Sequence, residues 1–206
     1  MVNDMKSFLI SKLRDKNTST EEFRSVSEKL AAILAGEAAE FLQKKDIKIK
    51  TPLAKTEGCE LNDDLVLVPI LRSGIALLSV FLKFYQKANV GFVGLKRDEV
   101  TAIAEQYYCK LPHISKNTEV LLLDPMIATG GSGIDALKLL RDAGVNEEKI
   151  TFVAIIAAQE GVEAVRKEFP KINLVIAQID EKLNDKKFIV PGLGDFGDRY
   201  FGTPER

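Results

Sequence analysis

Apolar residues recur at three- and four-residue steps early in the chain: Phe23, Val26, Leu30, Ile33, Leu34, Ala38, Phe41 and Leu42. That period predicts an amphipathic helix with one face on a core. Ser19 followed by Glu22 forms a capping box that sets its start. Ile47 and Ile49 then alternate with lysines before Thr51-Pro52, which predicts a short edge strand. Beyond residue 60 the pattern changes to short apolar runs with no polar alternation, at 65–70, 90–95, 119–123, 152–158 and 174–179. Helical stretches separate them, at 75–85, from the glycine-rich turn at 130 through Arg141 to a stop at Gly144, and at 161–169 before Pro170. Unbroken apolar strands alternating with helices predict a parallel sheet covered on both faces. Ligands of such sheets bind at the carboxyl ends of the strands. The loops leaving those ends are therefore the places to look for chemistry.

No repeat, low-complexity segment or Pro/Gly linker divides the 206 residues, so a single domain is expected. Lys and Arg (29) balance Asp and Glu (30), which argues against a nucleic-acid protein working through a bulk positive field. One histidine, His113, leaves no His-rich zinc site and only one residue from which to build a Ser-His-Asp triad. It reads as a surface residue. Cys59 and Cys109 stand far apart, with no CxxC pair, which fits reduced thiols in a cytoplasmic protein. The first residues carry no apolar signal core, and the longest apolar run, 152–158, is far too short to span a membrane. A soluble, cytoplasmic protein is expected.

Three loops stand out. In the first, Asp124 sits at a strand end, and Pro125, Met126, Ile127 and Ala128 lead to Thr129, Gly130, Gly131 and Ser132 at the opening of a helix. Glycines let backbone N–H groups approach an anion, hydroxyls add donors, and the helix N-terminus adds its dipole. The composition is that of a phosphate cradle without the Walker lysine. Gly131-Ser132-Gly133 also begins a G-x-G-x-x-A pattern, so a nicotinamide-dependent oxidoreductase has to be weighed. Against it, seven residues separate Leu123 from Gly131, too many for the tight dinucleotide turn. The second loop places Arg72, Ser73 and Gly74 at another strand end. The third, residues 192–203, combines glycines with Asp195, Asp198, Phe196, Tyr200 and Phe201 and suits a flat ring ligand.

Together these segments resemble the uracil phosphoribosyltransferases, within the type I phosphoribosyltransferase fold. The resemblance begins at Leu13-Arg14-Asp15-Lys16 and Phe23-Arg24, and continues through residues 68–74 and Arg97-Asp98-Glu99. It is sharpest at residues 124–132 and 192–202. One acidic residue followed by proline, Asp124-Pro125, is the form of the uracil enzymes. The resemblance implies a central, mostly parallel sheet flanked by helices, an N-terminal helical extension over residues 1–50 and a base-recognition segment over 185–206. It implies the reaction of uracil with phosphoribosyl pyrophosphate (PRPP) to give UMP and pyrophosphate. Residues 124–132 would bind PRPP, with Ala128 to Ser132 on the 5′-phosphate and Asp124 at the ribose. Arg72 and Arg97 would meet pyrophosphate. Ile189, Gly194 and Phe196 would recognise uracil, mainly through backbone groups, and Asp195 would lie between base and PRPP. Asp124, Arg72 and Asp195 are the catalytic candidates. Mg²⁺ would be held mainly by PRPP. A homodimer or homotetramer and a GTP effector also follow from the resemblance; no nucleic acid or membrane partner does.

The chain departs from the family pattern at Val100, Ala104 and Gln106, in a stretch expected to form a loop over bound PRPP. That departure alone supports an alternative, a non-catalytic sensor of PRPP or nucleotide on the same fold.

Overall fold

The computed structural model describes residues 2–97 and 104–203, with side chains at 4–95 and 106–203. Helices α1 (Val2–Arg14) and α2 (Thr20–Ala38) come first. Ser19 caps α2 by accepting the Glu22 N–H at 3.2 Å, as the capping box predicts. The apolar stripe overruns the helix. After Ala38 the chain tightens into a 3-10 turn, Ala39–Phe41, which carries Phe41 off the buried face, while Leu42 still packs inward. Leu9, Ile10 and Leu13 give α1 its own buried face.

A hairpin of β1 (Lys44–Lys50) and β2 (Lys55–Leu61) follows. Ile47 and Ile49 do lie in a strand, but in a separate two-stranded sheet rather than at an edge of the main one. The sequence hid β2 because its residues are mostly polar and five of the seven are exposed.

The main sheet contains β3 (Leu65–Leu71), β4 (Asn89–Val90), β5 (Phe92–Arg97), β6 (Ala104–Lys110), β7 (Glu119–Leu123), β8 (Met126–Ile127), β9 (Ile150–Ala158) and β10 (Asn173–Asp180). Helix α3 (Ile75–Phe84) follows β3, α4 (Gly131–Asp142) follows β8, and α5 (Gln159–Glu168) follows β9. A small hairpin of β11 (Lys182–Leu183) and β12 (Ile189–Val190) and a last helix, α6 (Phe196–Phe201), complete the chain. The strand order is β10-β9-β7-β3-β5-β6, parallel except for β6. The expected mostly parallel sheet is present. Of the Val100–Gln106 stretch expected in a loop, residues 104–106 open β6 and pair with β5 instead, and residues 98–103 lie outside the described residues.

Alternate residues of each strand feed opposite faces. Leu65 and Leu67 of β3 and Leu121 and Leu123 of β7 pack with α1, α2 and α3. Val66, Val68, Val120 and Leu122 pack with α4 and α5. In β9 the alternation slips, because the Ile155 and Ile156 amides both donate to the Pro125 carbonyl, at 3.1 and 3.0 Å. Two residues then oppose one, a bulge at the strand end beside Asp124.

The helices after β3 and β7 matter most. These strands are neighbours, yet α3 covers one face and α4 the other. The chain therefore leaves adjacent strand ends in opposite directions, and a crevice opens between the two loops. This is the topological switch point at which open α/β sheets bind ligands.

Candidate active site

A cleft of about 300 Å³ occupies that crevice. One wall is the chain leaving β7. The Asp124 N–H is anchored to the Val153 carbonyl at 3.2 Å, which fixes the backbone. Its carboxyl lines the cleft, and residues 126–133 continue the same wall. Gly130 takes φ 82°, a left-handed conformation that glycine adopts without steric cost, and so turns the chain into α4. No side chain caps α4. Thr129 Oγ accepts the Gly131 N–H at 3.4 Å, and Gly131, Ser132 and Gly133, the first residues of α4, line the cleft. Uncapped amides at the positive end of a helix dipole attract a phosphate dianion.

Burial pushes the Asp124 carboxyl up to about 7, and the Met126 N–H, 3.5 Å from Oδ1, offsets only part of this. Near neutral pH the group is thus poised between its two forms. A neighbouring positive charge drives it to the anion.

The second wall is the loop after β3. Ser73 lines the cleft. Gly74 approaches β7 so closely that a β-carbon there would stand 2.3 Å from the Leu123 carbonyl oxygen, so any larger residue would force the two strand ends apart. Arg72 lies outside the cleft lining. It is exposed, with its guanidinium 5.7 Å from the Phe201 ring centroid.

The third wall comes from the end of the chain. Ile189 and Asp195 line the cleft, with Gly197 beside Ser73. Asp195 also caps α6, accepting the Asp198 N–H at 2.9 Å. Gly194 does not line the cleft. Phe196 is fully buried, its ring 5.2 Å from Phe23 and 5.7 Å from Tyr200, so it anchors the segment from below and any contact with a base goes through its backbone. Pro125 is buried behind the wall. Arg97 closes β5, and its side chain lies outside the described residues.

Two networks hold this third wall in place. Asp180, at the end of β10, receives both terminal nitrogens of Arg14, at 2.8 and 2.6 Å, and the Gly192 N–H at 2.8 Å. Arg14 also donates to the Gly192 carbonyl at 3.0 Å. Burial opposes ionisation of Asp180, but the guanidinium and the Gly192 amide outweigh it and hold the carboxyl below its usual range. Arg199 donates to the carbonyls of Leu13, Leu193 and Asp15 while resting over Phe23. The turn between α1 and α2 thus grips the C-terminal segment.

The sequence had pointed to most of these residues singly. It had not pointed to Phe152, and it had included Lys186, Lys187 and Phe188 only within the 185–206 segment, giving them no role; they line the cleft from the β11–β12 hairpin. Asn184-Asp185 is a turn signal that marks the hairpin, but nothing local shows that it leans over the β7 loop. His113 is exposed, as expected. Gly131, Ser132 and Gly133 form the first turn of α4 rather than a tight turn at the strand end, which removes the basis for a dinucleotide site.

The family described as uracil phosphoribosyltransferase matches residues 3–203. A uracil phosphoribosyltransferase of Dictyoglomus turgidum is 45% identical over 94% of this chain and 93% of its own length. One from Mycoplasma genitalium is 41% identical over the same shares. Among solved structures, the AQ2163 protein of Aquifex aeolicus superposes with a TM-score of 0.88 at 34% identity, covering 98% of this chain and 96% of its own.

Proposed function

The chain belongs to the uracil phosphoribosyltransferase family and is a glycosyltransferase that joins uracil to the phosphoribosyl group of PRPP, giving UMP and pyrophosphate; from that premise we propose how the cleft divides the work. The uncapped amides of α4, with Thr129 and Ser132, bind the 5′-phosphate. Asp124 faces the ribose. The backbone of Ile189, Gly194 and Phe196 pairs with uracil, and Asp195 lies between base and sugar. Arg72 and Arg97, on the loop side of β3 and at the end of β5, meet the pyrophosphate. The observation that carries this assignment is the meeting of one part-buried carboxylate and one uncapped helix N-terminus in a single cleft.

The chemistry follows from charge. As the bond from ribose C1 to pyrophosphate breaks, C1 becomes cationic and uracil N1 approaches from the opposite face. The N1 proton passes to solvent. Asp124 acts as the anion, its own proton released to solvent before the bond breaks, and its charge stabilises the cationic transition state more than the ground state. The remaining contribution is alignment of base and sugar. No nucleophilic side chain is required, which suits a chain with one exposed histidine.

The donor set fits magnesium carried in by the substrate. No cluster of three or more metal-ligating side chains occurs among the described residues, whereas PRPP brings phosphate and ribose oxygens of the kind Mg²⁺ prefers, and Asp124 and Asp195 stand in the cleft. Bound magnesium would neutralise charge on the departing pyrophosphate. No helix among the described residues is long and apolar enough to cross a membrane, and two unpaired, exposed cysteines accord with a cytoplasmic enzyme.

The test is pyrophosphate release by the purified protein with PRPP and Mg²⁺ against uracil, cytosine, hypoxanthine and orotate, with and without GTP. Turnover confined to uracil is expected. A backbone frame matched to uracil leaves groups unpaired against the cytosine amine. Turnover with none of the bases would refute the assignment. Sizing of the same preparation tests the homodimer or homotetramer.

A further inference from the structure

The β11–β12 hairpin contains a residue in an unfavourable conformation. Lys187 has φ 64°, and it is the one non-glycine residue with positive φ among the described residues. A β-carbon disfavours that conformation, which glycine or asparagine adopts readily. The turn imposes it firmly: the Lys187 N–H donates to the Asn184 carbonyl at 2.8 Å, and the Asn184 side-chain oxygen accepts the Phe188 N–H at 2.9 Å. A lysine kept where glycine would suit the backbone better points to a role for its side chain.

That role is legible from position. Lys186 and Lys187 are the cationic side chains lining the cleft among the described residues, facing a wall built to attract an anion. The hairpin is tied to α5, whose Glu160 side chain accepts the Leu183 N–H at 3.0 Å. The Leu183 N–H is the main reason the Glu160 carboxyl lies below its usual range, and the charge of Lys187 adds a smaller share. Gly161, the next residue, lies against the phosphate loop, where a β-carbon on it would stand 2.2 Å from the Ala128 carbonyl oxygen. The hairpin is thus tied through the start of α5 to the loop at residues 127–130, and Lys187 lines the cleft that this loop walls.

We infer that Lys186 and Lys187 bind the 5′-phosphate of PRPP and UMP, closing from the hairpin a cradle that the α4 amides form from below. The inference rests on the assignment of residues 128–132 to the 5′-phosphate. A dianion held only by backbone amides and hydroxyls gains a full counter-charge from the lysines, and charged contacts of this kind outweigh neutral ones.

Calorimetric titration with UMP, uridine and pyrophosphate tests it, on the wild type and on Lys187→Asn, Lys187→Arg and Lys186→Gln. Lys187→Asn should weaken UMP about three- to tenfold while leaving uridine and pyrophosphate affinities unchanged. Lys187→Arg should retain UMP binding. The thermal midpoint of Lys187→Asn should equal or exceed that of the wild type, because asparagine tolerates the left-handed backbone; a structural lysine would instead lose stability and all three ligands together. Unchanged UMP affinity in both neutral variants, or a loss confined to pyrophosphate, overturns the inference. Equal wild-type affinity for UMP and uridine would instead overturn the phosphate-loop assignment beneath it.

Discussion

The ion pair between Arg14 and Asp180 joins the first helix to the segment proposed to present backbone to uracil, so on that proposal breaking it should affect stability and one substrate only. The Asp180 side chain is 2% exposed and that of Arg14 24%. Replacing Asp180 by alanine leaves the Arg14 guanidinium without its two carboxylate contacts and the Gly192 N–H without its acceptor. Removing one partner of a buried pair costs about 3–5 kcal/mol, and the partial exposure of Arg14 lowers this to about 2–4 kcal/mol. Asp180→Asn keeps an acceptor for Gly192 and loses only the charge, for about 1–2 kcal/mol. Urea unfolding at pH 7 should return these values in this order. The Asp180 carboxyl titrates below its usual value when folded, so the stabilisation is complete above about pH 4 and disappears as pH falls through the folded value. The gap between wild type and Asp180→Asn should therefore be flat from pH 5 to 8 and close in stronger acid. In steady-state assays the KM for uracil should rise several-fold and the KM for PRPP stay near wild type, because Gly192 leads directly into Gly194 and Asp195. Full stability in Asp180→Ala, or a KM change confined to PRPP, would refute the reasoning.

Asp124→Asn should cut kcat far more than it weakens uracil binding, since the charge acts on the transition state; equal losses would contradict that role. The same variant should be more stable than wild type at pH 8 by about 2–4 kcal/mol, and equally stable near pH 4. The carboxyl is raised to about 7 when folded, so the wild type loses stability as pH climbs from about 4 through 7. For the same reason the wild-type kcat/KM for PRPP should fall below pH 7, read as a pH–rate profile. Gly130→Ala places a β-carbon at φ 82° and 2.9 Å from the Gly161 carbonyl oxygen; it should cost about 1–3 kcal/mol in urea unfolding and raise the KM for PRPP. Arg72→Gln, at an exposed side chain, should leave the unfolding midpoint unchanged and weaken pyrophosphate inhibition several-fold, with the KM for uracil constant.

Much of the site is local in sequence. Asp124, the glycine turn and the opening of the helix after it fall within residues 124–133, so the sequence shows backbone amides, hydroxyls and charge side by side. The central strands β3, β7 and β9 were legible for a related reason: burial on both faces keeps the apolar run unbroken. Strand β2 and strand β6 were not legible, because exposed or edge strands need no apolar alternation and are defined by their partners.

What the sequence determined by itself is the α/β alternation and the glycine-rich turn that follows Asp124 at a strand end. Each depends on residues within one turn or one strand of each other. Only the tertiary structure decided that the Phe196 side chain packs into the core beneath the C-terminal segment, that Arg14 and Asp180, 166 residues apart, hold that segment, and that Lys186 and Lys187 line the same cleft as Asp124. It also raised the Asp124 carboxyl, since desolvation depends on what surrounds a group in space and not on its neighbours in the chain.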